Sequence, residues 1–144
     1  MAITQAMCTS FKKELLSAEH NFNAAGGHTF NLALYTQAAA SLSAATTVYT
    51  TTGELATADG YTQGGKALTN VNPSSSSTTA LTDFSADLEW TSSTITSDGC
   101  MIYNTSATNK AVSVHTFTSA SSVAGTFTVA MPDADASNAI LRLA

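Results

Sequence analysis

The stretch "DGCMIYNTSATNKAVSVHTF", residues 98–117, sets one apolar run and a second on either side of small polar residues. That order is the signature of a β-hairpin. Two loops fit it. A four-residue loop at 105–108 places Asn104 opposite Asn109 and Cys100 opposite Ser113, with His115 on the face of the thiol. A five-residue loop places Ile102 opposite Val112 and Cys100 opposite Val114, and sends His115 to the other face. A slip of one residue inverts every side chain, so burial should choose between them. The five-residue version gathers Cys100, Ile102, Val112 and Val114 into one aliphatic patch and is the one expected. On this reading the stretch is a wall of the fold, with thiol and imidazole kept apart.

Outward from the hairpin, most segments also read as strand. "TFNLALYT" (29–36) alternates Phe30, Leu32 and Leu34 against Thr29, Asn31, Ala33 and Tyr35, a period of two. "TTVYTTTGELAT" (46–57) is Thr-rich around Val48 and Tyr49, and "GGKALTNVNP" (64–73) ends at Pro73, where a central strand could not continue. "DFSADLEWTSSTIT" (83–96) puts Leu88 and Trp90 at one parity, which leaves Asp87 and Glu89 on a solvated face. "GTFTVAMP" (125–132) and "NAILRLA" (138–144) supply two more strands, and "SSSSTT" (74–79) reads as a surface loop. Before all of these, Ile3, Met7, Phe11, Leu15 and Ala18 recur at helical spacing, which predicts one amphipathic helix or arm within about 3–18. Its apolar stripe either packs on its own domain or docks on a neighbour. The expected fold is therefore mainly β: a single domain, an antiparallel sandwich or jelly-roll-like body over about 28–144 with a short N-terminal amphipathic helix.

Composition limits the chemistry. Of the 144 residues, 25 are Ala, 24 Thr and 18 Ser, and only 10% are charged, against roughly 25% in an average soluble protein. A net charge of −5 with five basic residues lacks the clustered Lys and Arg of a nucleic-acid footprint. No apolar stretch approaches the roughly 20 residues that span a bilayer, and no signal peptide is legible at the N-terminus. Cys8 and Cys100 read as buried free thiols rather than as a disulfide framework.

Each candidate site has a simpler account. A thiol nucleophile needs a histidine oriented by a third polar group, and neither Cys100 nor His115 has an Asp or Asn on the neighbouring positions. His20, His28 and His115 do not have the spacing of a zinc site and read as surface or turn histidines. "DADASN" (133–138) starts like a calcium loop, but Asn138 stands where that loop needs Gly, and turn chemistry after Pro132 explains it. Asp83, Asp87 and Glu89 could be paired carboxylates for glycoside hydrolysis, yet Leu88 and Trp90 mark the opposite face as core. Trp90, Tyr35, Tyr49, Tyr61 and Tyr103 would stack on sugars only if exposed together; otherwise they belong to a core or an interface. No catalytic, cofactor or metal residue is expected.

The order of "CTSFKKELLSAEHNF", "FNLALYT", "GELATADGYTQGGKALTNV", "LTDFSADLEWTSSTITSDGCMIYNTSATNKAVSV" and "GTFTVAMPDADASNAILRLA" resembles a family of small tailed-bacteriophage virion proteins, over nearly the whole chain. It departs at "SVHTFTSAS", where similar sequences run from an aliphatic stretch into Asp-Phe-Gly. The resemblance implies a β-rich, non-enzymatic virion subunit, assembled in the host cytoplasm without a secretory route. Two places in the particle fit. One is a capsid decoration or cement protein, oligomeric with itself and seated on the major capsid protein. The other is a tail, neck or fibre component, which could touch a host glycan. The stripe Ile3, Met7, Phe11 and Leu15 is the candidate interface. Neither nucleic acid nor membrane is an expected partner.

Overall fold

The computed structural model describes residues 2–144. In chain order the elements are β1 (Ala6–Met7), α1 (Thr9–Leu16), β2 (Phe30–Tyr35), β3 (Lys66–Ala67), β4 (Ser74–Ser76), β5 (Thr79–Thr82) and β6 (Leu88–Ser93). β7 (Thr96–Asn104), β8 (Lys110–Ser121), β9 (Gly125–Val129) and β10 (Leu141–Leu143) follow. The main sheet runs β1-β8-β7-β2-β3; a second runs β10-β5-β4, and β6 pairs with β9. All strand pairs between these elements are antiparallel. The mainly β architecture with one short N-terminal helix is as the sequence predicts.

The helix is shorter than its periodicity suggests. It covers Thr9–Leu16, because the residues before it are drawn into sheet pairing: Ala6 and Met7 face Val114 and Ser113, and Ile3 bridges to Leu42. It ends where Glu19 N–H reaches back to the Glu14 carbonyl, with Ala18 left-handed at φ 57°. That closure satisfies carbonyls that have no partner within the helix.

The hairpin that joins β7 to β8 departs from the expected register. Its loop does have five residues: Asn104 faces Lys110 and Tyr103 faces Ala111. The expected partnership of Ile102 with Val112 then fails. A bulge leaves Val112 as an extra residue, so Ile102 faces Ser113, Met101 faces Val114 and Cys100 faces His115. The reason is that this sheet is covered on both faces. Every residue from Cys100 to Asn104 and from Ala111 to Val114 is buried. With both faces dry, apolar parity no longer distinguishes one register from the next.

Cross-strand partners share a face. One face of the main sheet carries Leu34, Cys100 and His115 in one row and Leu32, Ile102 and Ser113 in the next; the other carries Ala33, Met101 and Val114. Over the end of the first face, Phe22 stacks on Phe30 at 4.3 Å and Phe84 lies 5.8 Å from Phe30. On the second face Tyr49 stacks on Tyr103 at 4.5 Å. Ile3 covers Gly99 so closely that a Cβ there would sit 2.3 Å from its Cδ1. Leu88 and Trp90 are buried while Asp87 and Glu89 are exposed, as their alternation predicts.

Gly65 lets β3 enter beside β2. Its φ is +70°, and a Cβ would stand 1.8 Å from the Leu32 carbonyl oxygen. Gly26, at φ +72°, has nothing within 4 Å of the same position. Gly26→Ala should therefore cost about 1 kcal/mol, the backbone penalty alone. Gly65→Ala should cost well over about 2 kcal/mol, since backbone must move as well. Urea denaturation of the two variants measures the gap, and equal losses would refute the steric account.

Candidate functional site

The bulge brings together the two residues that the expected register separates. Cys100 lies directly across from His115, and both line a cavity of about 300 Å³ with Leu32, Ile102 and Phe117. The chemistry of the pair is nevertheless quiet. Burial pushes the Cys100 thiol up to about 12 and holds the His115 imidazolium below its ordinary value. Both groups are thus held neutral, whereas a working thiol needs its thiolate. His115 Nε2 is engaged by Ser113 Oγ at 2.8 Å, not by sulfur.

The other two histidines do converge, on an amide rather than a metal. Asn104, fully buried, accepts from the Ser106 and Ala107 N–H groups through Oδ1, which caps the 3-10 turn Thr105–Ala107. That fixes its amide so that Nδ2 donates to His20 Nδ1 and His28 Nδ1, both at 2.9 Å. Both imidazoles must then carry their proton on Nε2, and His20 donates that proton to Glu14 Oε2 at 2.8 Å. Lys110 closes the group by pairing with Glu19 and lying 3.7 Å from Glu14. The hydrogen-bonded Lys110 ammonium holds the Glu19 carboxyl below the usual range. His20 is thus a core residue, not a turn histidine. Among the described residues no group of three or more His, Cys, Asp or Glu is placed to hold a metal.

A second polar centre was not legible in the sequence. Glu54, in the long connection between β2 and β3, is buried; Oε1 accepts from Tyr61 OH and Gly64 N–H, each at 2.7 Å. Oε2 accepts from Tyr49 OH at 2.5 Å. Tyr61 OH in turn accepts from the Leu34 N–H at 2.9 Å, and Tyr35 OH donates to the Thr50 carbonyl at 2.5 Å. Burial raises the phenols of Tyr35, Tyr49 and Tyr61, with Glu54 adding to the shift, so all three remain donors. Three donors satisfy the carboxylate without a cation, and the result is a clamp that fastens residues 49–64 to the sheet.

The remaining candidates separate. Asp83 is buried rather than solvated: its Oδ1 accepts from Phe84 N–H at 2.7 Å and its Oδ2 from Ile140 N–H at 3.2 Å. Burial raises its carboxyl, with Asp133 adding to the effect. In the acidic loop, Asp135 is taken up by the Ser137 and Asn138 N–H groups and by the Asn138 amide. Among the described residues the aromatic side chains are buried or, as at Tyr49 and Phe117, half-buried. Trp90 is buried against Tyr61 and Phe127.

The apolar stripe divides. Ile3 and Phe11 are buried in this chain's own core and are not available to a partner. Met7 and Leu15 line an open cavity of about 500 Å³, together with Phe22, Leu81, Leu141 and Leu143. Leu143 stays 59% exposed at this cavity, and Leu16, next to Leu15, is 92% exposed. This apolar hollow beside α1 and β10 has the concave, apolar character of a contact site.

No protein-family model, no curated protein and no solved structure matches the chain.

Two outcomes follow from the buried thiols and imidazole. Burial raises Cys8 to about 11 and Cys100 to about 12, so neither should react with a disulfide reagent at pH 8 until denaturant is added. A fast-reacting native thiol would contradict the packing. For His115, the unfolded chain takes up a proton near 6.5 while the folded chain takes it up lower. The unfolded state therefore binds more protons in that window, and stability falls as pH falls through it. Wild type should lose more stability than His115→Gln between pH 8 and 5.5, read as the shift in urea midpoint; parallel losses would sink the assignment.

Proposed function

We propose that this chain is a non-enzymatic structural subunit of a tailed-bacteriophage virion, and specifically a capsid decoration protein. It would bind as an oligomer over the major capsid protein and stabilise the shell through surface buried between neighbours. The order of sequence segments that resembles small virion proteins supports this reading. So does a surface with few charges and many small hydroxyl side chains, which can pack in a symmetric lattice without like-charge repulsion.

The observation that carries the reading furthest is the open apolar hollow beside α1 and β10. Leu143 would remain wetted there in an isolated chain, and so would Leu16 on the neighbouring surface of α1. Exposed apolar surface of this kind marks contact sites, and full burial of one Leu is worth about 1.5–3 kcal/mol. The quiet Cys100–His115 pair and the buried or half-buried aromatics, among the described residues, both fit a contact role better than a catalytic or sugar-binding one.

Decoration requires on the order of hundreds of copies per particle, as a closed symmetric shell repeats its subunits. Mass-spectrometric stoichiometry of purified virions should find that number, and particles with Leu16→Asp should carry fewer. A handful of copies would transfer the chain to the tail, neck or fibre and end the decoration reading.

A further inference from the structure

β10 is fastened to the rest of the chain by few bonds, and a second copy of the chain can make all of them. Asp135 Oδ1 accepts from Ser137 and Asn138 N–H at 2.7 and 2.8 Å. The Ala139 N–H donates to the Asp135 carbonyl at 3.1 Å, and the Arg142 guanidinium donates to the carbonyls of Ala136 and Ser137. These bonds lie inside the segment 135–142 and travel with it. Among the described residues, the bonds toward the body are the ladder to β5 (Leu141 to Thr82, Arg142 to Leu81, Leu143 to Ala80), the Ile140 N–H on Asp83 and, in the lead-in, the Met131 N–H on Asp87; the side chains of Ala139 and Leu141 are buried and Ile140 packs against the core.

Open hollows flank the strand on both sides. On one side Leu141 and Leu143 line the cavity of about 500 Å³; on the other Ile140 and Arg142 line the cavity of about 300 Å³ that Cys100 and His115 share. The lead-in, residues 130–134, belongs to no strand, is mostly exposed and contains Pro132. Fully extended, these five residues reach roughly 17 Å.

We propose that β10 exchanges between two copies of this chain, each copy's Leu141–Leu143 pairing with β5 of the other. The occupant is a second copy because the seat is already shown to fit this sequence. The same ladder register, the same Leu141 contact and the same Asp83 bond form whether the strand comes from its own chain or from a neighbour. Such an exchange is reciprocal and closes as a two-fold pair. It needs no new contact, only the high local concentration that an assembly supplies. The inference deepens the oligomeric part of the function proposed above and rests on it.

Leu143 and Ala80 are exposed ladder partners, and Cys8 and Cys100 are buried, so single cysteines report the pairing. Ala80→Cys and Leu143→Cys, refolded together and oxidised, should give a disulfide-linked species containing one of each. Its yield should exceed at least tenfold that from Val123→Cys with Leu143→Cys, a pairing through an exposed side chain outside β5. Mixed disulfide at or below that control, in a chain that sedimentation shows to be oligomeric, overturns the exchange alone. A monomer at every concentration, with no mixed disulfide, overturns the exchange and the oligomeric reading together.

Discussion

The structure turns on a sheet that is dry on both faces. From Cys100 to Asn104, β7 exposes almost nothing, and β2 and the first half of β8 flank it in the same state. A polar group in such a place must find its partner inside the protein, since an unmade hydrogen bond there costs about 1–3 kcal/mol. Asn104 uses its whole amide, two acceptor contacts and two donor contacts, to join the hairpin turn to His20 and His28. Ser113 and His115 satisfy each other, and Ser97 donates to the Tyr35 carbonyl. The polar side chains that look like chemistry in the sequence are, in the fold, the means by which this sheet stays buried.

The same constraint explains the long connection between β2 and β3. It covers one face of the sheet with little regular structure, so its hold must come from side chains. Glu54 provides it by collecting Tyr49, Tyr61 and the Gly64 amide, while Gly64 O accepts from Tyr103 OH and the Asn31 amide. A carboxylate surrounded by neutral donors is specific in geometry and gains little from pairing charge. An open apolar hollow is left at the periphery, lined by Met7 and Leu15 on one side and Leu141 and Leu143 on the other.

Local pattern was most informative where one face of an element meets water. The alternation of Leu88 and Trp90 against Asp87 and Glu89 gave the right inside and outside for β6. The five-residue loop was also legible, through the aliphatic patch that Cys100, Ile102, Val112 and Val114 suggest, and its Thr108 and Asn109 are left-handed at φ 52° and 59°. The register beyond it was not, because parity has no meaning for a strand buried on both sides. The stripe Ile3, Met7, Phe11 and Leu15 shows the same limit: helical spacing identifies an apolar face but not what covers it. Ile3 and Met7 proved to lie in extended pairing rather than in the helix.

By itself the sequence determined the mainly β class, the single short helix near the N-terminus, the hairpin loop, and a surface poor in charge. These follow from composition and from periodicities that act over a few residues. Only the tertiary structure decided that Cys100 meets His115, that His20 and His28 share one amide, and that Glu54 anchors Tyr49 and Tyr61. The bulge at Val112, the closure of both sheet faces and the open hollows beside β10 arise from packing between segments tens of residues apart. No local pattern encodes which of two dry faces a side chain will enter, and that choice placed Cys100 and His115 together.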